Sequence, residues 1–136
     1  MPEESCGPWA SLRGLHVFLV VDDVESRELL RAALEHAGAL VSVPASADSA
    51  LAALEAVRPD ALLADVGDTD EQPATLITRV HALPGCAEIP SIVVTADGGC
   101  DARRRLLDAG YHEHVRRPVD VWGLCQVVVS VAERRG

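Results

Sequence analysis

Three aspartates stand directly after apolar segments of this chain. Asp22 and Asp23 follow the run Val17–Val21, and Asp65 follows Ala61–Ala64. If these apolar segments are neighbouring parallel strands, their carboxyl ends meet at one edge of the sheet, where ligands of such folds bind. Carboxylates brought together repel one another, so each must be protonated, paired or bound to a cation. A hard divalent ion such as Mg²⁺ (or Mn²⁺) fits best, because it takes a few carboxylates and keeps several waters.

A carboxylate beside such an ion can act as a nucleophile toward a phosphoryl donor, which gives an aspartyl phosphate. The metal would neutralise the charge that develops on the transferred group. A hydroxyl and a fixed cation would hold the remaining phosphoryl oxygens, and Thr95 and Arg117 are of suitable type. The residues at the ends of the apolar segments therefore predict phosphoryl transfer to a carboxylate.

The elements that position these residues follow from the hydrophobic pattern. Apolar, strand-like segments alternate five times with segments of helical periodicity, which predicts an α/β fold with a parallel sheet covered by helices on both faces. The polar, acidic stretch Val66–Pro73 is predicted to be a loop, and the β-branched run Val127–Val129 weakens the prediction of the last helix. The predicted strands are Leu15–Val21, Leu40–Val43, Ala61–Ala64, Ser91–Thr95 and Glu113–Arg116, and the predicted helices are Val24–Ala37, Ala47–Val57, Ala74–Leu83, Asp101–Ala109 and Asp120–Arg134.

Four short segments, in order and at typical spacing, resemble the signatures of receiver domains of two-component response regulators. They are Val20–Asp23, Leu63–Val66, Val94–Ala96 and Arg117–Asp120. The resemblance begins at about Leu12 and implies a flavodoxin-like (βα)5 three-layer sandwich with a five-stranded parallel sheet in the order 2-1-3-4-5. It places a receiver domain at residues 14–136 after a lead-in or linker at residues 1–13. It also implies phosphotransfer from a histidine kinase or phosphotransfer domain.

The resemblance assigns the metal site and the phosphoacceptor. Asp65 aligns with the phosphoacceptor. Asp23 would bind Mg²⁺ (or Mn²⁺) directly, Asp22 mostly through water, and Gly67 through its backbone carbonyl, with Asp65 as a further ligand.

The resemblance also assigns the groups that respond to the phosphoryl group. Thr95 aligns with the hydroxyl that follows the phosphoryl group on activation, and Ala96 is the small neighbour that leaves room for it. The bond before Pro118 is expected to be cis.

Three positions depart from the family pattern. Arg117 replaces a lysine, and arginine is longer and planar, so the replacement is not conservative at a tight site. Arg116 should face away from the site, because side chains alternate along a strand. His114 stands where an aromatic switch residue is usual, and it is interpreted as a packed neutral imidazole, with pH sensing as the alternative. The loop after Asp65 is unusually acidic, which indicates a solvated loop or a region that repels phosphodonors.

Because of these departures, two functions remain open, and a third is disfavoured. The intact aspartate triad favours a phosphoaccepting receiver, and the alternative is a pseudo-receiver that signals by protein contact without phosphorylation. A freestanding hydrolase with Asp65 as nucleophile is disfavoured, because Gly67 stands where such enzymes usually carry a second acid, and the chain is not expected to be an enzyme. Gly67 and Asp97 are expected to tune the lifetime of the phosphoryl group.

The composition of the chain argues against some classes of binding partner. The formal net charge of −9 argues against nonspecific nucleic-acid binding and against a polybasic membrane patch. The longest apolar run, Val17–Val21, is too short to span a bilayer, and the four cysteines show no C-x-x-C spacing, so reduced thiols in a cytoplasmic protein are expected. The resemblance to receiver domains further implies a homodimer or effector contact through the fourth helix, fifth strand and fifth helix.

Overall fold

Five strands and five helices alternate in the part of the chain that the computed structural model describes, residues 11–66, 71–96 and 99–134. The strands are β1 (His16–Val21), β2 (Leu40–Ser42), β3 (Ala61–Asp65), β4 (Ser91–Thr95) and β5 (Glu113–Arg116). The helices are α1 (Val24–His36), α2 (Ala47–Leu54), α3 (Glu71–Ala82), α4 (Cys100–Ala109) and α5 (Val121–Arg134).

All strand pairs are parallel, and the strand order is β2-β1-β3-β4-β5. This confirms the predicted flavodoxin-like sheet. In the register, Val21 pairs with Asp65, and Thr95 pairs with Arg116. The carboxyl ends of the four strands β1, β3, β4 and β5 therefore meet at one edge, as the positions of the aspartates required.

Two apolar layers enclose the sheet, one on each face. On one face α1 and α5 pack through Leu34, Leu124 and Val128 against strand residues such as Leu63. On the other face α2, α3 and α4 pack through Leu54, Ile77 and Leu106 against residues such as Leu62. Strand residues alternate between the faces because successive side chains point to opposite sides of a sheet. The result is the expected three-layer sandwich.

Two element boundaries differ by three residues from the sequence prediction, and the predicted lead-in contains a buried residue. α3 begins at Glu71, so the predicted loop ends earlier, and Pro73 lies in the first helical turn, where its missing N–H costs no hydrogen bond. α2 ends at Leu54 rather than Val57, and the Arg58 guanidinium donates to the Leu54 carbonyl there. Leu12, within the predicted lead-in, is fully buried and its backbone N–H donates to the Ala37 carbonyl at 2.8 Å.

None of the helices within the described residues is long and apolar enough to cross a membrane.

Candidate functional site

Asp65 and Arg117 form an ion pair at the carboxyl edge of the sheet. Asp65 is the last residue of β3 and is only 9% exposed. Arg117 follows β5, and its Nη2 donates to Asp65 Oδ1 at 3.1 Å. The Arg117 backbone N–H donates to the Thr95 carbonyl at 2.8 Å, which fixes where the side chain starts. Of the two neighbouring arginines, Arg117 is the one whose side chain is hydrogen-bonded to Asp65.

Burial raises the pKa of Asp65 above its ordinary value of 3.8. The Arg117 guanidinium works against this by attracting and hydrogen-bonding the carboxylate, whereas the negative charges of Asp22 and Asp23 raise the pKa further. The ionised carboxylate is thus poorly hydrated and lies near two other anions. An additional cation at this edge would stabilise it.

Asp22 and Asp23 form the turn between β1 and α1. The Asp22 backbone N–H donates to the Asp65 carbonyl at 3.1 Å, which ties this turn to the end of β3. Asp23 is the N-cap of α1, and its Oδ2 accepts the Ser26 N–H at 2.9 Å. Hydrogen bonding from Ser26 lowers the pKa of Asp23, and the nearby charges of Arg117 and Arg27 lower it further. Asp23 is therefore ionised at neutral pH.

The chemistry of these donors suits Mg²⁺, but they do not form a tight three-carboxylate cluster. Within residues 11–66, 71–96 and 99–134, no three His, Cys, Asp or Glu side chains converge closely enough to hold a metal ion together. Mg²⁺ needs only one or two carboxylates besides waters. The hydrogen bonds described above engage one oxygen each of Asp23 and Asp65. Gly67, the fourth expected ligand, lies outside the described residues, as does Asp97.

Thr95 and His114 are joined by a hydrogen bond between side chains. Thr95 Oγ1 lies 2.7 Å from His114 Nε2, and both residues are half-buried. The pairing of Val93 with His114 places the imidazole on the same sheet face as Thr95. The sequence predicted a packed imidazole but not this contact, although neighbouring positions on two adjacent strands were the signal for it.

The edge also contains groups that sequence reasoning assigned only in part. Ala96 is exposed beside Thr95, and the Arg117–Pro118 peptide bond is cis. Arg27 was not singled out from the sequence. It lies one helical turn after Asp23, and its Nη1 is 3.4 Å from the Val21 carbonyl, which it approaches as a hydrogen-bond donor. A cleft of about 480 Å³ opens beside Asp22 between α2 and α3.

The family model described as the response regulator receiver domain matches residues 17–129 of this sequence. The chain belongs to the response regulator receiver family. Receiver domains are signalling domains of two-component systems, which interact with histidine kinases or phosphotransfer proteins. The predicted family and fold are thereby confirmed.

Two curated relatives differ in how much of their own length this chain covers. The chain is 35% identical over 118 residues to a 14.6 kDa protein from the sodA1 3′ region of Leptolyngbya boryana, covering 87% of this chain and 90% of the relative. It is 29% identical over 119 residues to the C4-dicarboxylate transport transcriptional regulatory protein DctD of Rhizobium meliloti. That match covers 88% of this chain but only 25% of DctD, so the chain spans about a quarter of that regulator.

Solved structures share the fold at low identity. The receiver domain of the sensor histidine kinase PA1611 from Pseudomonas aeruginosa, with a magnesium ion in its active-site cleft, is 23% identical with a TM-score of 0.77. The likeness covers 88% of this chain and 98% of that one. A CheY-like receiver domain protein from Methanospirillum hungatei is 22% identical with a TM-score of 0.77, covering 89% and 95% of the two chains.

Proposed function

We propose that this receiver domain takes a phosphoryl group from a histidine kinase or phosphotransfer domain of the cytoplasm onto Asp65. The observation that carries the proposal is the ion pair between Asp65 and Arg117 at the edge where the strands end. A buried carboxylate with a fixed cation at one oxygen has both parts of a phosphoryl acceptor, a nucleophile and a positive charge for the transferred group.

The reaction forms one bond and breaks one. An Asp65 oxygen bonds to phosphorus while the bond from phosphorus to the donor nitrogen breaks, and the nitrogen keeps the electron pair and is protonated. The Arg117 guanidinium, already within 3.1 Å of the carboxylate, would then donate to a phosphoryl oxygen. Thr95 ends β4, the strand between those that carry Asp65 and precede Arg117, and its hydroxyl would donate to another phosphoryl oxygen. Ala96 is exposed and leaves space beside Thr95.

Magnesium completes the proposed site. Asp22, Asp23, Asp65 and the Gly67 carbonyl would hold Mg²⁺ (or Mn²⁺), which would neutralise negative charge on the phosphoryl group. The magnesium ion in the cleft of the PA1611 receiver domain supports this assignment. So does the local charge, because the negative charges of Asp22 and Asp23 both act on Asp65.

The test is incubation with Mg²⁺ and acetyl phosphate, followed by the mass of the intact protein. We expect one phosphoryl adduct that requires Mg²⁺ and is absent from Asp65→Asn. Asp108→Asn, at an exposed position of α4, is the matched control and should be phosphorylated like the wild type. An adduct that persists in Asp65→Asn would overturn the assignment of Asp65.

A pseudo-receiver is the second candidate, and two observations favour it. Arg117 already neutralises Asp65, and the described residues contain no three-carboxylate cluster. In that reading the arginine replaces the metal permanently, and the domain signals by protein contact alone. The absence of both a phosphoryl adduct and measurable Mg²⁺ binding would favour this reading over phosphotransfer.

We further propose that α4, β5 and α5 form the contact surface for a second copy or an effector. Trp122 on α5 is 47% exposed, and Arg103 and Arg104 on α4 are exposed beside a small cleft. Partly exposed aromatic and arginine side chains are typical of protein interfaces. Sedimentation of the wild type and Trp122→Ala, with and without acetyl phosphate, tests whether this surface associates. Identical monomeric sedimentation in every sample would exclude a homodimer.

A further inference from the structure

Thr95 lies between the phosphoacceptor and a histidine. The sheet order places β4, which ends in Thr95, between β3 with Asp65 and β5 with His114. The Thr95 hydroxyl is engaged toward β5, with Oγ1 2.7 Å from His114 Nε2. A threonine hydroxyl has a single proton. That proton can be donated to the imidazole or to an acceptor at Asp65, but not fully to both.

We infer that His114 is a positioning residue for Thr95, and that the protonation of its Nε2 decides whether the Thr95 proton is available to a phosphoryl group on Asp65. The inference rests on the proposed function, because it concerns the regulation of the same site. It makes the site sensitive to pH through a residue that is hydrogen-bonded to Thr95.

The direction of the hydrogen bond follows from the inventory of protons. When Nε2 carries no proton, it can only accept, so the Thr95 hydroxyl donates to His114. The single hydroxyl proton of Thr95 is then not available to a phosphoryl oxygen. When Nε2 carries a proton, the ring donates to Oγ1, and the Thr95 proton is released for another acceptor. Phosphoryl oxygens only accept, so they require the second arrangement. The imidazolium ion has protons on both ring nitrogens and allows only the second arrangement.

Acid conditions should therefore favour phosphorylation through His114. Neutral imidazole divides between the two arrangements, and protonation removes the one that competes with the phosphoryl group. Free imidazole changes charge near neutrality, so about pH 6 and about pH 8 are the conditions to compare.

Charged groups around His114 modulate this change. Alternation along β5 places Arg116 on the same sheet face as His114 and Glu113 on the opposite face. α4 packs against β5 on the His114 face. The ionisable residues of α4 are Cys100, Asp101, Arg103, Arg104, Arg105 and Asp108. The surroundings thus hold both signs of charge, and a direct comparison of variants at several pH values isolates the histidine.

The experiment measures the rate of phosphorylation by acetyl phosphate with Mg²⁺ at pH 6, 7 and 8 in three proteins. They are the wild type, His114→Gln, which keeps a hydrogen-bonding group without titration, and His36→Gln, which removes an exposed histidine at the far end of α1. Dividing each rate by that of His114→Gln removes the pH dependence of the donor. We expect the wild-type ratio to rise about two- to tenfold from pH 8 to pH 6, the factor that one ordinary hydrogen bond is worth. His36→Gln should follow the wild type.

The outcomes separate this inference from the proposed function. A wild type that is phosphorylated but whose ratio to His114→Gln is constant with pH overturns the inference and leaves Asp65 as phosphoacceptor. A wild type that forms no adduct at any pH overturns both.

A second measurement needs no phosphorylation and covers the case in which His114→Gln does not fold. Long-range ¹H–¹⁵N spectra of the wild type report the protonation of Nε2, and Thr95→Val removes its partner. We expect the Nε2 resonance to move on this substitution and the tautomer balance of the ring to change. Unchanged ring nitrogens in Thr95→Val would overturn the inference.

Discussion

The Arg117 guanidinium reaches across the end of β4 to donate to Asp65, with Nη2 3.1 Å from Oδ1. The two residues follow or end strands that are not neighbours, so the contact requires the sheet order and the long arginine side chain together. Guanidinium donors lie in one plane on separate nitrogens and can bind two oxygens of one anion side by side, whereas the donors of an ammonium group all radiate from a single nitrogen. Arg117 can therefore keep hold of the carboxylate or transfer its donors to a phosphoryl group on it.

Removal of the charge at position 117 should slow phosphorylation. We expect Arg117→Met to lower the rate with acetyl phosphate by about tenfold or more, because a hydrogen bond to a charged group contributes about 1.5–3 kcal/mol. Arg117→Lys restores a cation at the same backbone position and should therefore be phosphorylated faster than Arg117→Met. Rates from intact mass over time provide the measurement. Equal rates for Arg117→Met and the wild type would show that this cation does not contact the transferred group.

Magnesium binding should strengthen when Arg117 loses its charge. The guanidinium and the metal ion are both cations drawn to Asp65, so they repel each other and compete for its oxygens. Titration calorimetry with MgCl₂ is expected to give a tighter dissociation constant for Arg117→Met than for the wild type, by up to about tenfold.

The control for this titration is Asp23→Asn, which keeps a side-chain acceptor for the Ser26 N–H but removes a charge. It should bind Mg²⁺ more weakly than the wild type. Tighter binding by Asp23→Asn would place the ion away from the predicted ligands.

Tyr111 should stabilise the start of α3. Its buried hydroxyl donates to the Pro73 carbonyl at 2.8 Å, joining the turn before β5 to the first turn of α3. Tyr111→Phe removes this hydrogen bond, while the Pro73 carbonyl keeps its helical partner within α3, so the free energy of unfolding should fall by about 0.5–1.5 kcal/mol. Urea unfolding followed by circular dichroism gives the value. Tyr111→Leu should cost more, because it also removes aromatic volume from the core. Equal stability of Tyr111→Phe and the wild type would mean that water replaces the tyrosine hydroxyl.

Asp23 should stabilise α1 at neutral pH and lose that contribution in acid. Its pKa in the folded chain is lowered from 3.8, chiefly by hydrogen bonding from Ser26. A carboxylate with a lowered pKa stabilises the fold above its unfolded pKa, and this stabilisation disappears as the pH falls through the lowered value. The difference in unfolding free energy between the wild type and Asp23→Ala should therefore be constant near neutrality and shrink below about pH 4.

Asp23→Ser provides the comparison for this pH dependence, because serine caps a helix without titrating in this range. The free energy of unfolding of Asp23→Ser should exceed that of Asp23→Ala in acid as well as at neutral pH. Urea unfolding of the three proteins at pH 7 and in acid measures both differences. A wild-type advantage over Asp23→Ala that is the same at both pH values would rule out a charged cap.

Local patterns and the geometry of parallel sheets were sufficient to predict the strands and the edge that carries Asp22, Asp23 and Asp65, whereas the strand order was predicted from the resemblance to receiver domains. The same rules failed where contacts with distant parts of the chain determine the local secondary structure. The first turn of α3 was read as a loop because Glu71 to Pro73 are polar or cyclic, yet Tyr111 fixes it from another part of the chain. The β-branched run in α5 disfavours a helix locally, but burial of Val128 against the sheet outweighs that preference.

The candidate site was predictable in its residue types but not in its contacts. Carboxylates, a hydroxyl and a cation at the strand ends indicated the chemistry. The sequence could not show that Arg117 binds Oδ1 of Asp65 or that Thr95 faces His114, because side-chain rotamers and distances between strands are set only by packing.

Chemical trapping of the phosphorylated residue tests the central claim most directly. Sodium borohydride reduces an aspartyl phosphate to homoserine, which is located by mass spectrometry of peptides. After treatment with acetyl phosphate and Mg²⁺, homoserine is predicted at position 65 and nowhere else, and it should be absent when Mg²⁺ is removed by a chelator. Reduction at another carboxylate, or an unmodified Asp65 in protein that carries the phosphoryl mass, would contradict the account.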